Sequence, residues 1–356
     1  MSRIDELTSE LSPLLRSRHH IDRLFMFAQS DICLFESEMP FSTNSMTTPC
    51  HETIAIPGQV HHPDVHREML HIACVADERY GSYAGITFFS VIRANREVPV
   101  HLHLFSDGVS RRDIERIQTM ASNAGAGCSI YDVANQLDRF PYLTGKFHYS
   151  RATYGRLFIA DLLPNDIDWV IYLDCDILCV GSLSALWNRR QSVATAAAVS
   201  DVWVNSDRAY KESVGCDPNS VYYNCGVMLI NAREWRARRL FPALIDFLHH
   251  NPSLRYVDQD AVNAVLGQEL LELEPYWNVF ISAPDADQVA AALNAAVNIH
   301  YCAALKPWHL GYSICGGVAG DRYRATKAIS PWRWQLPDPQ IGRLKKRIRE
   351  KIGSFG

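Results

Sequence analysis

Short apolar runs alternate with amphipathic segments from residue 69 onward, and each kind of pattern predicts a different element. Apolar runs predict strands at 71–76, 98–105 and 129–133, and one-sided apolar spacing predicts helices at 83–95 and 109–123. Ser82 is predicted to cap the first helix, and Ser110 or Asp113 lies near the start of the second. This strict alternation predicts a parallel sheet with helices on both faces. Ligand contacts are then expected in the first strand-to-helix turn, around 76–80.

The alternation continues as far as residue 301. Helices are predicted at 150–163, where Ser150 serves as the N-cap, at 232–250, and at 261–266, and strands are predicted at 169–173, 193–199 and 297–301. Residues 224–226, Asn-Cys-Gly, predict a turn or bulge before a strand that ends at Asn231. The strongest strand prediction is 169–173, because this run is short, apolar and rich in β-branched and aromatic residues.

Two carboxylates, Asp174 and Asp176, follow that strand directly. Side chains two residues apart on an extended chain point the same way, so the pair can converge on one cation at the mouth of the sheet. Carboxylate oxygens suit Mg²⁺ or Mn²⁺, and such ions bridge to phosphate oxygens. The sequence holds four Asp-x-Asp triplets, at 166/168, 174/176, 258/260 and 285/287, and the preceding strand distinguishes the second. We therefore hypothesise that this strand end holds a divalent metal on a nucleotide diphosphate.

Six stretches, in this order, resemble the characteristic segments of glycosyltransferase family 8. They are 71–80 (His-Ile-Ala-Cys-Val-Ala-Asp-Glu-Arg-Tyr), 152–157 (Ala-Thr-Tyr-Gly-Arg-Leu), 172–178 (Tyr-Leu-Asp-Cys-Asp-Ile-Leu), 223–231 (Tyr-Asn-Cys-Gly-Val-Met-Leu-Ile-Asn), 258–260 (Asp-Gln-Asp) and 300–308 (His-Tyr-Cys-x-x-x-Lys-Pro-Trp). Their order and spacing over about residues 70–310 are more specific than any single motif. The resemblance implies an α/β, Rossmann-like GT-A fold with a mixed central sheet. Within the family it is closest to the bacterial lipopolysaccharide core α-glucosyl- and α-galactosyltransferases.

The resemblance also implies roles for individual residues. The implied metal ligands are Asp174, Asp176 and His300, with Mn²⁺ (or Mg²⁺) as the cofactor. The implied contacts to the donor substrate are Ala76, Asp77, Tyr80, Arg156, Asn224 and Lys306. The implied catalytic residues are Gln259, near the anomeric carbon, with Asp258 and Asp201 beside the sugar. One departure from the family is Ala303, where a glycine is usual.

Each of these positions also has an ordinary structural interpretation. His300 can be a hydrogen-bonded core residue, and Lys306 can be a solvated lysine. Asp77, Tyr80 and Asn224 can be turn residues, and Arg156 can be half of a salt bridge. Asp258 and Asp260 can simply cap a helix, because carboxylates are favoured at a helix N-terminus.

The implied reaction moves glucose or galactose from a UDP-sugar to a hydroxyl group with retention at the anomeric carbon. Retaining glycosidases use a carboxylate nucleophile, whereas Gln259 is a poor nucleophile. An amide at this position favours a front-face route, in which Lys306 and the metal stabilise the leaving diphosphate while the acceptor attacks from the same side. Covalent capture of the sugar by Asp201 or Asp258 stays open as an alternative.

Composition narrows the class of protein. The 356 residues, 47% hydrophobic and 21% charged, are typical of a globular protein with a sizeable core, and a formal net charge of −4 gives no reason to expect a nucleic-acid partner. The ten cysteines include no Cys-x-x-Cys pair, and the chain shows no signal peptide, so we expect buried thiols in a reducing cytosol. No apolar run approaches the length needed to span a membrane.

The pattern divides the chain into an N-terminal extension of unknown role at 1–69, a catalytic domain at 70–310 and a C-terminal segment at 311–356. At 341–352, apolar residues fall on one helical face and basic residues cover the rest, which predicts a basic amphipathic helix on a membrane surface. We therefore expect a cytoplasmic protein that is peripheral on the cytoplasmic face of the inner membrane. A solvated terminal helix is the alternative interpretation.

The expected partners are a UDP-hexose donor, a glycolipid or oligosaccharide acceptor, with lipopolysaccharide core favoured, and the inner-membrane surface. Two other functions are compatible with the sequence. One is transfer to a protein or polyol acceptor, and the other is a sugar-nucleotide-binding protein without turnover. The presence of both metal-site carboxylates together with His300 and Lys306 argues against a protein without turnover.

Overall fold

The computed structural model describes residues 69–143, 150–281, 286–312 and 317–338. The predictions for 1–68 and for the basic helix at 341–352 fall outside these residues. Within them, no helix combines the length and the apolar character that crossing a membrane requires.

The strands within this part of the chain form two sheets. They are β1 (Leu70–Asp77), β2 (Val100–Asp107), β3 (Gly127–Asp132), β4 (Trp169–Leu173), β5 (Ile177–Cys179), β6 (Ala196–Ser200), β7 (Tyr223–Asn231), β8 (Leu271–Leu273), β9 (Val279–Phe280) and β10 (Asn298–His300). The central sheet has the order β3-β2-β1-β4-β7-β6-β8, and the smaller sheet has the order β5-β10-β9. The pairs among β3, β2, β1 and β4 are parallel, whereas β7 runs antiparallel to both β4 and β6. The central sheet is therefore mixed, as the family resemblance implies.

The predicted strands are confirmed with small shifts of their ends, and the prediction at 169–173 coincides with β4. The sequence analysis missed β5, β8 and β9, which have only two or three residues each. Such short strands lack the periodic pattern from which a strand is predicted. β5 and β9 are important for the site, because they flank β10 in the smaller sheet.

The α-helices of the described residues pack on both faces of the central sheet. They are α1 (Gly81–Ala94), α2 (Arg111–Asn123), α3 (Ala134–Leu137), α4 (Ile159–Leu162), α5 (Ser184–Asn188), α6 (Val202–Asn205), α7 (Arg208–Ser213), α8 (Ala232–Ala237), α9 (Leu240–His250), α10 (Asp258–Leu266), α11 (Ala286–Ala295) and α12 (Gly317–Ala328). Short 3₁₀ segments lie at Arg151–Phe158, Arg189–Ser192, Gly267–Glu269, Pro275–Trp277 and Leu310–Tyr312. The helix predicted at 150–163 is thus a 3₁₀ segment followed by α4, and Ser150 Oγ accepts from the Ala152 N–H as predicted for its N-cap.

Two helix predictions need correction. Ser82 does not cap α1, because the Asp77 side chain turns the chain earlier and the helix already begins at Gly81, with Tyr80 as N-cap. The single helix predicted at 232–250 is two helices, α8 and α9. Pro242 has no N–H and its ring would clash with the carbonyl of the preceding turn, so a continuous helix is disfavoured there. Arg239, with φ of 54°, makes the break.

The hydrophobic core has two layers, one on each face of the sheet. Ile72 and Cys74 of β1 face the layer under α1 and α2, and Ala73 and Val75 face the layer under α4, α8 and α10. Strands covered on both faces are apolar along their whole length, which is why β1 appears in the sequence as a continuous apolar run. Seven cysteines lie in the described residues; all are free, and five of them are buried, in agreement with the expected thiols.

Residues 330–338, which we call the C-terminal strap, complete the first core layer. Trp332 is 1% exposed and fills the space over Gly85, where an added Cβ would lie 2.1 Å from its ring. At the end of the strap, the Asp338 N–H donates to the Trp308 carbonyl at 2.9 Å. The described part of the C-terminal segment therefore packs on the catalytic core. The division of the chain into domains stays a prediction.

Candidate active site

Polar residues from four adjacent strands meet at one edge of the central sheet. Asp77 ends β1, Asp174 follows β4 and Asp201 follows β6, while Asn224 lies at the start of β7, which runs in the opposite direction. β10 of the smaller sheet ends at His300. Ligands of open α/β sheets bind beyond the carboxyl ends of the strands, so the edge has the expected position of a binding site.

Asp174, Asp176 and His300 come together there, with one ligand atom from each within 4.8 Å of the others. His300 Nε2 lies 3.2 Å from Asp176 Oδ1 and 3.8 Å from Asp174 Oδ2. Neighbouring ligands of an octahedral ion with bonds of about 2.1 Å are about 3 Å apart. Two carboxylates and one imidazole are also a suitable donor set for a divalent cation such as Mn²⁺. The residues therefore fit the cation that the sequence analysis expected.

Asp176 is shared between the imidazole and Lys306. Its second oxygen, Oδ2, lies 2.6 Å from Lys306 Nζ. Burial alone would raise the pKa of Asp176, but the charges and hydrogen bonds of Lys306 and His300 outweigh burial and hold this pKa below its usual range. Asp176 is therefore an ionised carboxylate at neutral pH, which is the form that binds a cation.

His300 is held on two sides. Its Nδ1 lies 3.0 Å from Asn278 Oδ1, and a Cβ added at Gly226 would lie 2.3 Å from its Cε1. Only glycine at position 226 leaves room for the ring. The sequence analysis missed Asn278, because it lies between a 3₁₀ turn and a two-residue strand and belongs to no motif.

Asp201 accepts hydrogen bonds on both carboxylate oxygens. Its Oδ1 accepts from two backbone N–H groups in the first turn of α6, and its Oδ2 accepts from Asn224 Nδ2 and Gln259 Nε2, each at 3.3 Å. Gln259 Oε1 accepts in turn from the Cys225 N–H at 3.0 Å. The register between β6 and β7 shifts at this point, which confirms the predicted bulge around 224–226. The bulge places Asn224 and Cys225 beside the predicted catalytic residues.

Arg156 connects the proposed metal ligands with Asp258. Its Nη2 lies 3.0 Å from Asp174 Oδ1, its Nε lies 2.5 Å from Asp258 Oδ2, and its Nη1 donates to the Cys225 carbonyl at 2.6 Å. The guanidinium also lies over the Tyr172 ring, 4.8 Å from its centroid. Arg156 does form salt bridges, as its ordinary interpretation expects, but both lie inside the site, where its side chain is 9% exposed.

Asp258 is buried at the start of α10. Burial and the nearby Asp174 raise the pKa of Asp258 to about 6, although Arg156 acts in the opposite direction. The N-cap of α10 is Val257, and Asp258 and Asp260 lie in the first helical turn, where the helix dipole favours carboxylates as their ordinary interpretation expects. Val257 has φ of 43°, an unfavourable conformation for a β-branched residue, directly before Asp258 and Gln259. Such strained residues cluster at functional sites.

Lys306 is buried rather than solvated, so its ordinary interpretation is wrong. Its Nζ donates to the Tyr301 carbonyl at 2.7 Å in addition to Asp176. Trp308 covers the loop and stacks on Tyr83 with ring centroids 3.9 Å apart. Ala303 in the same loop is not among the described residues with positive φ, so alanine in place of the usual glycine causes no backbone strain there.

The first strand-to-helix turn supplies the other end of the site. Asp77 Oδ1 accepts from the N–H groups of Arg79 and Tyr80 at 2.9 Å, so Asp77 does shape the turn, as its ordinary interpretation expects. Tyr80 is half-buried and lies edge-on to Trp308, with ring centroids 6.0 Å apart. Ala76 directly precedes Asp77 in β1 and is 1% exposed.

An aromatic pair that the sequence analysis missed borders the site. Trp203 is 42% exposed on α6, two residues after Asp201, and its ring centroid lies 5.2 Å from that of Phe280. Phe280 lies in turn 6.0 Å from the ring of His300. The sequence shows only a tryptophan two residues after Asp201, and its exposure and its contact with Phe280 appear only in the structure. The pair therefore adds aromatic surface next to Asp201 and His300.

Comparisons with known proteins agree with this geometry. The family model of glycosyl transferase family 8 matches residues 71–310. General stress protein A of Bacillus subtilis is 27% identical over 257 residues, which are 68% of this chain and 88% of that protein. The lipopolysaccharide 1,2-glucosyltransferase of Escherichia coli K12 is 26% identical over 295 residues, which are 80% of this chain and 86% of that protein.

A solved structure shares the arrangement of the strands and helices. The galactosyltransferase LgtC, determined in complex with donor and acceptor sugar analogs, is similar with a TM-score of 0.63 at 23% identity. The likeness covers 78% of this chain and 100% of that chain. It confirms the GT-A fold that the six sequence stretches implied.

Proposed function

Since this chain belongs to glycosyl transferase family 8, we propose that it transfers glucose or galactose from a UDP-sugar to a glycan acceptor, with retention at the anomeric carbon. The acceptor that we propose is lipopolysaccharide core. The lipopolysaccharide 1,2-glucosyltransferase of Escherichia coli, with which this chain shares 26% identity over most of its length, supports this choice.

The observation that carries the proposal is the convergence of Asp174, Asp176 and His300 beside Lys306 at the edge of the sheet. Three ligands of this kind fit a divalent cation, and a buried lysine next to them adds a second positive charge. The diphosphate of a UDP-sugar is negatively charged, and positive charge beside it stabilises it. Bound at these residues, Mn²⁺ or Mg²⁺ would supply positive charge to the diphosphate oxygens as they leave.

Lys306 acts on the leaving group as a compact point charge. The Tyr301 carbonyl and Asp176 hold its ammonium group in place before any substrate binds. A donor that is already oriented stabilises the charge that develops in the transition state without further rearrangement. We place the uridine at the opposite side of the loop, against Ala76, Asp77 and Tyr80.

The sugar itself lies in our proposal near Arg156, Asn224 and the 258–260 segment. The hydrogen bonds that Asp201 accepts on both oxygens reduce its nucleophilicity. Gln259 carries an amide, and both ends of that amide are hydrogen-bonded. Both observations support the front-face route over covalent capture by Asp201. In that route Gln259 contacts the anomeric region and positions the sugar.

The acceptor approaches across Trp203 and Phe280 in this proposal. A pyranose ring has apolar C–H faces that pack on aromatic rings, and Trp203 offers an exposed ring beside Asp201. For an acceptor anchored in a membrane, the predicted basic helix at 341–352 would keep the enzyme at the lipid surface. We therefore propose a peripheral association with the cytoplasmic face of the inner membrane.

Hydrolysis of UDP-sugars tests the proposal without knowledge of the acceptor. We expect slow release of UDP from UDP-glucose or UDP-galactose that depends on Mn²⁺ or Mg²⁺ and is abolished by Asp174→Ala. Asp168→Ala is the matched control, because Asp168 belongs to a neighbouring Asp-x-Asp triplet and precedes the opposite end of β4. Full activity of Asp174→Ala would rule out the proposed cation site, and lack of turnover with every UDP-hexose would rule out the proposed donor.

A further inference from the structure

A chain of buried amides runs from the backbone of β7 to the imidazole of His300. The Gly226 N–H donates to Asn224 Oδ1 at 2.9 Å, and Asn278 Nδ2 donates to the same oxygen at 2.9 Å. Asn278 Oδ1 then lies 3.0 Å from His300 Nδ1. Asn278 is 1% exposed and His300 is 4% exposed, so their polar atoms depend on partners within the protein.

Each link of this chain determines the orientation of the next. A backbone N–H can only donate, so the atom of Asn224 that faces Gly226 is its oxygen, and Asn224 Nδ2 is directed to Asp201. The atom of Asn278 that faces the Asn224 oxygen must then be its amide nitrogen, which leaves Asn278 Oδ1 for His300. An amide oxygen only accepts, and therefore His300 Nδ1 must carry the hydrogen.

We infer that Asn278 is a positioning residue that selects the tautomer of His300. With the hydrogen on Nδ1, the Nε2 atom of a neutral imidazole keeps its lone pair. Nε2 is the atom that faces Asp174 and Asp176. Asn278 thus holds the hydrogen on Nδ1 and leaves Nε2 to the cation, which displaces any hydrogen that Nε2 donates to Asp176. The inference rests on the proposed function for the identity of the cation, but the tautomer is a property of the protein alone.

The pairing of the backbone strands allows only the residue at position 278 to make this contact with His300. Asn278 directly precedes β9, and β9 pairs with β10 so that Phe280 lies opposite His300. The Ile281 N–H also donates to the His300 carbonyl at 2.8 Å. Because the two strands are fixed in register, the distance between the Asn278 side chain and the imidazole is fixed as well. A neighbouring residue cannot replace Asn278 without a shift of the strand.

The first test measures the tautomer directly. Long-range ¹H–¹⁵N NMR of protein labelled on histidine, with and without the diamagnetic cation Mg²⁺, assigns the protonated nitrogens of His300 after comparison with His300→Gln. We expect the hydrogen on Nδ1 in the wild type. Asn278→Leu removes the acceptor at similar size and should abolish this preference. A wild-type His300 whose only hydrogen is on Nε2 would overturn the inference.

The second test compares Mn²⁺ affinities by calorimetry, without nucleotide sugar. Asn278→Leu should weaken Mn²⁺ binding about 10- to 100-fold, which is the usual effect of losing the partner of a ligating histidine. Asn278→Asp keeps an acceptor oxygen and should stay within a few-fold of the wild type. For thermal stability we expect the reverse order. Asn278→Asp should be less stable than Asn278→Leu, because it places a buried carboxylate against Asn224 Oδ1.

Asn231→Ala is the matched control, because Asn231 is also buried and also loses two side-chain hydrogen bonds, but at the opposite end of β7. Its Mn²⁺ affinity should equal that of the wild type. If Mn²⁺ affinity among the Asn278 variants follows their stability, Asn278 is only structural and the inference fails. If the wild type binds no Mn²⁺, the proposed function fails, and the tautomer measurement still decides on Asn278.

Discussion

Gly226→Ala adds one methyl group next to the proposed metal ligand His300. The added Cβ would lie 2.3 Å from His300 Cε1 and 2.7 Å from Nδ1, whereas ordinary contacts begin at 3.4 Å. The imidazole must therefore move by about 1 Å or the strand must give way. Neither is easy, because β10 lies between β5 and β9 and because Asn278 holds Nδ1.

The size of the effect follows from this displacement. A shift of about 1 Å moves Nε2 away from the two carboxylates by a large part of a metal–ligand bond, which is about 2 Å long. We expect Mn²⁺ affinity to fall about 100-fold, which corresponds to about 2.7 kcal/mol. Overpacking of a core by one methyl group lowers the free energy of unfolding by about 1–3 kcal/mol. The variant should therefore fold and bind the cation poorly.

Calorimetric titration with Mn²⁺ and urea unfolding measure the two effects separately. Gly127→Ala is the matched control, because a Cβ at Gly127 would lie 2.4 Å from the ring of His101, away from the site. It should lose a similar amount of stability and keep its Mn²⁺ affinity. Wild-type Mn²⁺ affinity in Gly226→Ala would refute the reasoning, since His300 would then not need its observed position to bind the cation.

Three further predictions concern the rest of the molecule. Burial and the adjacent His101 and His71 lower the pKa of His103, so the unfolded chain takes up a proton that the folded chain does not, and stability present above about pH 6.5 is lost as the pH falls. His103→Phe should therefore reduce the difference in unfolding free energy between pH 7 and pH 5.5 by about 1 kcal/mol, measured by urea unfolding. Trp203→Ala should raise the acceptor KM about tenfold, with a much smaller effect on the donor KM, because the exposed ring loses its contact with the acceptor sugar. Deletion of 340–356 should move the protein from the membrane pellet to the soluble fraction, because the predicted basic helix at 341–352 is lost.

The control for Trp203→Ala comes from the same chain. Trp334→Ala removes a tryptophan that is 60% exposed and should leave the acceptor KM unchanged. Equal pH dependence of His103→Phe and wild type would contradict the first prediction. An unchanged acceptor KM would contradict the second, and a truncated protein that still pellets with membranes would contradict the third.

The sequence predicted those strands and helices that carry a clear apolar or capping pattern. β1 is an apolar run, and α2 begins directly after Ser110, whose Oγ accepts from the Asp113 N–H as a capping residue does. The antiparallel direction of β7 could not be predicted from its residues, because an apolar run has the same appearance in either direction. The break between α8 and α9 was within reach, since Pro242 cannot continue a helix, and it was missed.

Those residues of the candidate site that belong to a sequence motif were predictable. Asp174 and Asp176 stand next to a clear strand, and His300 stands in a stretch that resembles a known family. Asn278 was not predictable, because its importance comes from a hydrogen bond across strands of two and three residues. The same holds for Trp203, whose contact with Phe280 depends on how the central and smaller sheets are placed.

The C-terminal strap determines where the chain can be cut for laboratory work. The similarity to the family ends at residue 310, and a protein shortened to that limit would lack Trp332 and leave the groove over Gly85 open. Removal of a buried tryptophan lowers the free energy of unfolding by about 3–5 kcal/mol, out of about 5–15 kcal/mol for a whole domain. Expression plasmids and protease digests should therefore preserve the chain through Asp338, and a stable fragment will be longer than sequence similarity suggests.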